Sequence, residues 1–279
     1  MNAPAFDLSR MKVGENRLPC PECDRGPKDT ALALRLDADG HMVWRCHRCG
    51  WTGASGRTAT AVTPLAKTAQ RKPSGKTTRA LSDYGHGLWL DGEALAGEAL
   101  AYLQARHCRI PPADGHLRWI PDLRHSTGYC GPALVALITD AQTGHPLSLH
   151  RTWIRADGRK ADVEPPRLLL KGCPKAGGVI RLWPEVQGHP LGIAEGIETA
   201  LSLAWAVVPA WAAIDAGNLG ALHVVRGIDE LVIAQDNDPA GEQAASACAA
   251  RWIQAGRTVR IVKPTCGNDL NDEAAAWAE

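Results

Sequence analysis

The stretch that decides the fold is residues 232–241, which reads VIAQDNDPAG. An apolar run ends there with two carboxylates, Asp236 and Asp238, only two residues apart. In a strand, side chains at positions i and i+2 point to the same side, so these like charges would repel each other. Two explanations are open at this point: the pair lies in a solvated turn, or a cation binds between the carboxylates.

The residues after this stretch predict a helix with well-marked ends. Asp238 is a typical N-cap, Pro239 suits the first helical position, and Gly256 suits the position just past the last turn. The same alternation recurs throughout the carboxyl-terminal third, where helical or short segments separate apolar runs at residues 191–196, 210–215, 230–236 and 258–263. Continuous apolar strands that alternate with helices predict a parallel α/β sheet covered on both faces.

Acidic residues follow three of these predicted strands. Besides the Asp236 and Asp238 pair, Glu195 ends the first strand, and Asp269 follows the fourth. Functional groups gather at the carboxyl edge of an open parallel sheet, and carboxylate oxygens are preferred ligands of Mg²⁺ and Mn²⁺. Aspartates two residues apart are weak evidence alone, because Asp is common in turns, but the additional strand-end acids favour a metal site.

Four cysteines near the amino terminus have metal-ligand spacing. They form two CxxC pairs, Cys20 with Cys23 and Cys46 with Cys49, and the intervening ALALRL and HMVWRC segments predict a β-hairpin. This spacing predicts a zinc ribbon whose four thiolates close the Zn²⁺ site, which makes the site structural. Four buried free thiols are the alternative. We interpret the remaining cysteines as small apolar fillers: Cys108, Cys130, Cys173, Cys248 and Cys266.

Basic and aromatic residues are interleaved around the predicted ribbon. Trp44 and Trp51 lie among the following basic residues: Arg17, Arg25, Lys28, Arg35, Arg45 and Arg48. Such a pattern suits single-stranded nucleic acid, whose bases stack and whose phosphates pair with cations. A small tryptophan-stabilised core under a solvated basic surface is the alternative. We predict nucleic-acid binding here, with Arg45 as a contact.

The sequence divides into four predicted regions: a ribbon at 1–56, a flexible basic linker at 57–80, a mixed α+β middle region at 81–188 and the α/β region at 189–279. The middle region contains a predicted helix at 92–107 and two predicted strands at 133–140 and 145–154. Basic residues in its second half predict a path for a nucleic-acid template, with solvated charge as the alternative. They include Arg151, Lys160, Lys171, Lys175 and Arg181.

The composition excludes several classes of protein. The sequence contains no run of about 18 apolar residues, which a membrane span would require. Its first residues also lack the apolar segment of a secretion signal. Nine cysteines, an odd number, favour a reducing compartment, so we expect a cytoplasmic protein without membrane contact. The net charge of +1 combines a basic amino-terminal region with an acidic carboxyl-terminal region. This uneven distribution of charge fits a protein that binds polyanions with one region and cations with the other. The alternative is that both sets of charges are simply exposed to solvent.

The carboxyl-terminal region resembles the Toprim domain, the catalytic fold of bacterial-type primases, type IA and type II topoisomerases and some nucleases. The resemblance rests on four segments in the expected order: LGIAEGIETALSLAW, AAIDAGNLG, LVIAQDNDPAGEQAA and KPTCGNDLND. The cysteine region is similar to the amino-terminal zinc domain of phage- and plasmid-type primases. The middle region, with YLQARHCRIP and GGVIRLW, resembles segments of proteins encoded by mobile elements.

The resemblance also implies roles for individual residues. It implies that Glu195 is a general acid or base, that Asp236 and Asp238 hold catalytic Mg²⁺ or Mn²⁺, and that Asp269 is a further acidic position. Two positions depart from the family pattern. Where bacterial primases often carry an aspartate four residues after the glutamate, this chain has Thr199, and the adjacent Glu198 is a candidate substitute. The second acid of the last motif is replaced by Asn271, which Asp272 follows.

The resemblance implies a DNA primase that makes short RNA primers on a single-stranded DNA template from NTPs, in the replication of a phage or mobile element. A Toprim nuclease is an alternative, and so is a noncatalytic zinc and Toprim DNA-binding protein. Because no Walker motif completes a helicase, we expect a helicase or a replication initiator to act in trans.

Overall fold

The computed structural model describes residues 11–23, 26, 29–38, 40–55 and 80–276. The chain divides into two compact units, Met1–Pro73 and Ser74–Glu279, which are treated separately below. The predicted linker lies outside the described residues except for residue 80, as do Arg25 and Lys28 of the predicted basic surface.

The first unit contains a four-stranded antiparallel sheet. Its strands follow one another in chain order: β1 (Gly14–Leu18), β2 (Leu32–Leu36), β3 (Met42–Cys46) and β4 (Thr52–Ser55). Alternate residues of β2 and β3 are buried, since leucines of β2 pack with Met42, Trp44 and Cys46 of β3. This period of two is what a sheet with one covered face requires, and it confirms a β-rich region around the cysteines.

The second unit begins with two helices and five strands from the predicted middle region. These are α1 (Asp83–Leu90), α2 (Gly97–Ala105), β5 (Leu117–Arg124), β6 (Cys130–Asp140), β7 (Pro146–Trp153), β8 (Arg167–Leu169) and β9 (Gly178–Arg181). All the pairings among these strands are antiparallel. The predicted helix at 92–107 is shorter in the structure, because α2 begins at Gly97 and ends at Ala105.

The carboxyl-terminal part alternates strands and helices as predicted. Its elements are β10 (Leu191–Ala194), α3 (Ile197–Leu203), β11 (Ala210–Ala212), α4 (Ala216–Gly220), β12 (Glu230–Ala234), α5 (Pro239–Gln254), β13 (Thr258–Val262) and α6 (Leu270–Ala276). The four strands are parallel in the order β13-β12-β10-β11. Leu191 and Ile193 pack in the same cluster as Trp252 of α5, whereas Ala194 packs in another with Leu201 of α3. Both faces are therefore covered, which explains the continuous apolar strands.

The two parts of the second unit share one sheet. Strand β11 pairs antiparallel with β9, where Trp211 is opposite Arg181, and β9 pairs in turn with β6. The resulting nine-stranded mixed sheet contains strands from before and after residues 188 and 189, where the sequence suggests a boundary between two regions. Middle-region residues are consequently in direct contact with the carboxyl-terminal acids, as described below.

Among the residues that the structure describes, no helix combines the length and the apolar character needed to cross a lipid bilayer.

Candidate metal centres

The four cysteines of the CxxC pairs converge on one point. Their Sγ atoms all lie within 4.8 Å of one another. The Sγ atoms of Cys20 and Cys49 are 3.7 Å apart, and so are those of Cys23 and Cys46. A tetrahedron with Zn–S bonds of about 2.3 Å has edges of about 3.8 Å, so the cluster fits a zinc ribbon.

Polar contacts hold the loops that carry these cysteines. The backbone N–H of Arg48 donates to the Cys46 sulfur at 3.4 Å, and its guanidinium donates to Asp29 at 3.1 Å. The Asp29 carboxylate also accepts from the backbone N–H of Ala31 at 3.3 Å and of Cys20 at 3.5 Å. Asp29 and Arg48 thus connect the two CxxC loops and hold the cysteines in place, as residues that contact metal ligands commonly do.

The outer face of the ribbon sheet is basic. Arg17, Arg35 and Arg45 are exposed on it, and the strand register places Arg17 and Arg45 on either side of Ala33. Trp44 points to the opposite face, is buried, and lies 5.6 Å from the Trp51 ring. The buried Trp44 therefore belongs to the small core, and the arginines are the groups that this face offers to a ligand.

The acids of the second unit lie at the carboxyl ends of neighbouring parallel strands. Glu195 follows β10 directly, Asp236 and Asp238 follow β12, and Asp269 lies in the segment between β13 and α6. A fourth strand also contributes, since Asp215 follows β11. Because carboxyl ends of parallel strands meet at one edge, these side chains surround a common rim, which we call the acidic rim.

Each residue of the Asp-Asn-Asp stretch has a different task. Asp238 caps α5, with its Oδ1 accepting from the backbone N–H of Gly241 at 2.8 Å. Asn237 donates from its side chain to the carbonyls of Pro264 and Gly267, both at 3.2 Å, and so ties the loop after β13 to the loop after β12. The Asp236 carboxylate, in contrast, has no hydrogen bond at its Oδ1 atom to any described residue.

Gly241 allows this arrangement to be compact. A Cβ atom at Gly241 would lie 2.7 Å from the backbone oxygen of Asp236. Real Cβ atoms essentially never approach this closely, so a side chain here would separate the start of α5 from the end of β12.

The electrostatics of the rim show that the acids are close to one another. Burial raises the pKa of Asp236 to about 7, with further contributions from Glu195, Asp269 and Asp238. Burial also raises the pKa of Glu195 to about 6, together with the charges of Asp238 and Asp215. The charges of neighbouring acids thus disfavour ionisation of Asp236 and Glu195, which is the effect expected of carboxylates that share a cation site.

One rim oxygen has no partner. The Oδ1 atom of Asp236 is buried and makes no hydrogen bond to any described residue. An unpaired buried carboxylate oxygen is costly, and a hard cation that takes oxygen ligands would satisfy it. The oxygen donors of the rim therefore fit Mg²⁺ or Mn²⁺. Within the described residues, only the cysteine cluster brings three or more potential ligand atoms within 4.8 Å of one another, so the rim acids surround their site without converging on a point.

The two departures from the family pattern have structural explanations. Asn271 is buried, accepts from the Arg106 side chain at 2.9 Å, and donates to the Arg106 carbonyl at 2.7 Å and to Ser202 at 3.1 Å. It therefore anchors α6 to α2 and α3. Asp272 is exposed and accepts from the backbone of Asn268 at 2.9 Å, while Asp269 accepts from the backbone N–H of Asn271 at 2.7 Å.

Glu198 lies in a buried ion network beside the rim. Tyr102 and Arg167 donate to its carboxylate, and Lys160 forms an ion pair with it. Burial would raise the pKa of Glu198, but Arg167 and Lys160 outweigh burial and lower it to about 2. Glu198 therefore differs from Asp236, because its carboxylate contacts two cations and a hydroxyl, whereas the Oδ1 atom of Asp236 has no partner among the described residues.

The predicted template-path residues occupy different environments. The Arg151 guanidinium donates to the Leu169 carbonyl at 3.1 Å, and that of Arg181 donates to the carbonyls of Asp140 and Ala141. Lys160 is half-buried against Glu198, and Lys171 is exposed. Lys175 is exposed and forms an ion pair with Asp215 at the acidic rim. Lys171 and Lys175 are therefore the two most accessible cations of this set.

Sequence reasoning missed Asp215 and the Glu198 network. The Asp215 signal was present, because AAIDAGN places an acid at the end of an apolar strand, as LGIAEG does for Glu195. Tyr102 is 96 residues from its partner Glu198, and no local pattern connects the two. The remaining cysteines are also more varied than predicted: Cys108 and Cys248 are buried, whereas Cys130 and Cys266 are exposed.

Comparisons with known proteins agree with the Toprim resemblance. Residues 190–277 match the family model of the Toprim domain, and residues 79–182 match that of a domain of unknown function, DUF7146. The primase fragment of the bacteriophage T7 primase-helicase protein is 18% identical with a TM-score of 0.42, over 93% of this chain and 94% of that one. The Aquifex aeolicus primase (zinc-binding and RNA polymerase domains) is 15% identical with a TM-score of 0.45, over 96% of this chain and 78% of that one. No curated protein matches the chain.

Proposed function

We propose that this protein is a Toprim-type DNA primase that makes short RNA primers on single-stranded DNA during replication of a phage or mobile element. The observation that carries the proposal is the acidic rim. Glu195, Asp236 and Asp238 lie at the ends of adjacent strands in a region that matches the Toprim family, and burial together with neighbouring acids raises the pKa of Glu195 and of Asp236. The cysteine cluster in the other unit supports the same class, since primases of this type carry a zinc ribbon.

The proposed reaction is nucleotidyl transfer. The 3′-hydroxyl of one nucleotide attacks the α-phosphorus of an NTP, a new P–O bond forms, the bond to the β-phosphate breaks, and pyrophosphate leaves. Glu195, whose pKa is about 6, is largely ionised at neutral pH and accepts the proton of the attacking hydroxyl. Asp236 and Asp238 would hold Mg²⁺ or Mn²⁺, with Asp269 beside them. When bound, the metal neutralises charge on the reacting phosphates.

Basic residues of both units supply contacts for the template in this proposal. Lys171 and Lys175 are exposed in the middle region, and Lys175 reaches the rim through Asp215. In the ribbon, Arg45 is exposed on the basic outer face. Neutralising phosphates provides most of the nonspecific affinity for nucleic acid, so these cations are the proposed contacts of single-stranded DNA. A helicase or replication initiator that acts in trans remains a prediction.

Primer synthesis tests the proposal directly. The zinc-loaded full chain is incubated with single-stranded DNA, labelled NTPs and Mg²⁺ or Mn²⁺, beside an Asp236→Asn/Asp238→Asn variant. Asparagine caps a helix as well as aspartate does, so the variant keeps the start of α5 while removing two charges. We expect short RNA products from the wild type and a loss of about 100-fold or more in the variant. Asp229→Asn, on an exposed acid just before β12, is the matched control.

Other outcomes would replace this proposal. Metal-dependent cleavage of the template without RNA products would indicate a Toprim nuclease. Retention of DNA with neither product would indicate a noncatalytic DNA-binding protein. Equal RNA synthesis by the wild type and the double variant would remove the acidic rim from the mechanism.

A further inference from the structure

Glu198 is a buried carboxylate with an unusually complete set of partners. Its side chain is 8% exposed, and it lies in the first turn of α3, three residues after Glu195. The Tyr102 hydroxyl donates to its Oε1 at 2.7 Å, and Nη2 of Arg167 lies 3.3 Å from both carboxylate oxygens. The Lys160 ammonium is 3.9 Å away. A buried carboxylate that has cationic partners and a hydroxyl donor stays ionised and holds those partners in place.

Arg167 is only partly used by this contact. Its side chain is 45% exposed, and its hydrogen bonds to described residues run from Nη2 to Glu198. The guanidinium has five N–H donors in a fixed plane, so donors on Nε and Nη1 remain for another ligand. Arg167 begins β8, which is an edge strand of the nine-stranded sheet.

The cations of the network also act on the acidic rim. Arg167 opposes the rise in the pKa of Glu195, and the charge of Asp269 acts on Lys160. Glu198 lies in the first turn of α3, three residues after Glu195, so the two cations that contact its carboxylate are held close to the end of the strand that carries Glu195.

We propose that Glu198 is a positioning residue that holds Arg167 beside the acidic rim as a subsite for the polyphosphate of an incoming nucleotide. This inference rests on the proposed function, because it assigns the polyphosphate of that reaction to a particular side chain. A planar guanidinium matches phosphate oxygens in a bidentate manner, and its anchored orientation reduces the entropy lost on binding. Glu198 itself touches neither nucleotide nor metal and acts through Arg167.

ATP binding separates this role from a merely structural one. The full chain, zinc-loaded, is titrated with ATP and Mg²⁺ in the absence of DNA, and KM for NTPs and kcat are measured in primer synthesis. We expect Arg167→Met to weaken ATP binding and raise KM by about tenfold, as loss of a charged hydrogen-bond partner does, with a smaller change in kcat. Arg167→Lys should recover part of the affinity. Arg260→Met, on an exposed arginine paired with Glu230, is the matched control and should bind ATP like the wild type.

Variants of Glu198 and of its partner Tyr102 test the positioning role. Glu198→Gln keeps the shape but removes the charge that orients Arg167, so we expect ATP affinity to fall in the same direction as for Arg167→Met. If Glu198→Gln does not fold, Tyr102→Phe tests the positioning role instead, because it removes one hydrogen bond to Glu198 and leaves all charges in place. It should weaken ATP binding less than Arg167→Met does. Unchanged ATP affinity in a folded Glu198→Gln protein, or in Tyr102→Phe where that variant decides, would overturn the positioning role.

The outcomes also distinguish this inference from the proposed function. ATP binding that depends on Arg167 in a protein that makes no primers would support the subsite and reject the primase. Normal primer synthesis with unchanged KM in a folded Arg167→Met protein would reject the subsite and leave the primase in place.

Discussion

The two candidate metal centres differ in how the chain assembles them. The cysteine cluster comes from two short loops, each of which supplies ligands only two residues apart, and its sulfur atoms already lie 3.7 Å apart in pairs. The acidic rim draws on residues from Glu195 to Asp269, which follow different strands, and among the described residues no three of its carboxylates bring oxygen atoms within 4.8 Å of one another. Local spacing therefore determines ligand geometry directly, whereas a rim built from strand ends depends on the whole sheet.

The chemistry of the ligands differs in the same way. Four thiolates complete a tetrahedron and leave no position for a substrate, which is typical of a structural zinc site. Carboxylates that surround an open edge leave positions for water and phosphate, which is typical of Mg²⁺ sites in phosphoryl transfer. The comparison predicts that one metal stabilises a fold and that the other serves a reaction.

The largest expected effect is the loss of zinc from the ribbon. We expect Cys46→Ser to unfold the sheet of β1 to β4, because a small sheet with few buried side chains depends on its metal for stability. Hydrogen exchange measured by mass spectrometry should show lost protection in residues 14–55 and unchanged protection in residues 191–262.

Cys130→Ser is the control for this experiment, since Cys130 is exposed and lies outside the cluster. Retained protection of the ribbon strands in Cys46→Ser protein without bound zinc would show that the metal is dispensable for this fold. That result would contradict the claim that the metal of the cysteine cluster stabilises the fold.

A smaller effect is expected at the rim, and it has the opposite sign. The pKa of Asp236 is about 7 in the folded protein, above the ordinary value of 3.8 that it has in an unfolded chain. As the pH rises from about 4 to about 7, the unfolded chain releases its proton first, so this carboxyl lowers stability over that interval. Asp236→Asn should therefore stabilise the metal-free second unit at pH 8 by about 1–2 kcal/mol, after allowance for solvent screening of this half-buried group.

Thermal unfolding at several pH values checks this prediction. The gain from Asp236→Asn should disappear below about pH 4, where aspartate is protonated in both states. Adding Mg²⁺ should raise the melting temperature of the wild type more than that of the variant. A variant that is less stable than the wild type at pH 8 without metal would show that the Asp236 charge is already well compensated within the protein.

The sequence predicted those features that local chemistry determines. The helix α5 begins after Asp238 and ends before Gly256, because the cap, the proline and the glycine each act within one turn. The CxxC spacing predicted the cysteine cluster for the same reason. The order of strand and helix, and the acids at strand ends, followed from apolar patterning and from the rule for parallel sheets.

Features that depend on distant contacts could not be predicted. Glu198 is three residues from Glu195 in sequence, yet its side-chain partners Tyr102 and Arg167 come from the middle region. The sequence predicts Arg181 as a contact of the template, but its guanidinium donates to the backbone carbonyls of Asp140 and Ala141 at the end of β6 and lies 4.5 Å from the centre of the Trp211 ring. Both cases arise because the middle region and the carboxyl-terminal region share one sheet, which no local pattern indicates.

The most direct test of the account is whether the acidic rim binds a divalent ion. Zinc-loaded protein is titrated with Mn²⁺, and free Mn²⁺ is measured by electron paramagnetic resonance, for the wild type, Asp236→Asn/Asp238→Asn and the Asp229→Asn control. We predict saturable binding in the wild type and the control, and its loss in the double variant. Equal Mn²⁺ binding by all three proteins would contradict the claim that these strand-end acids form a metal site.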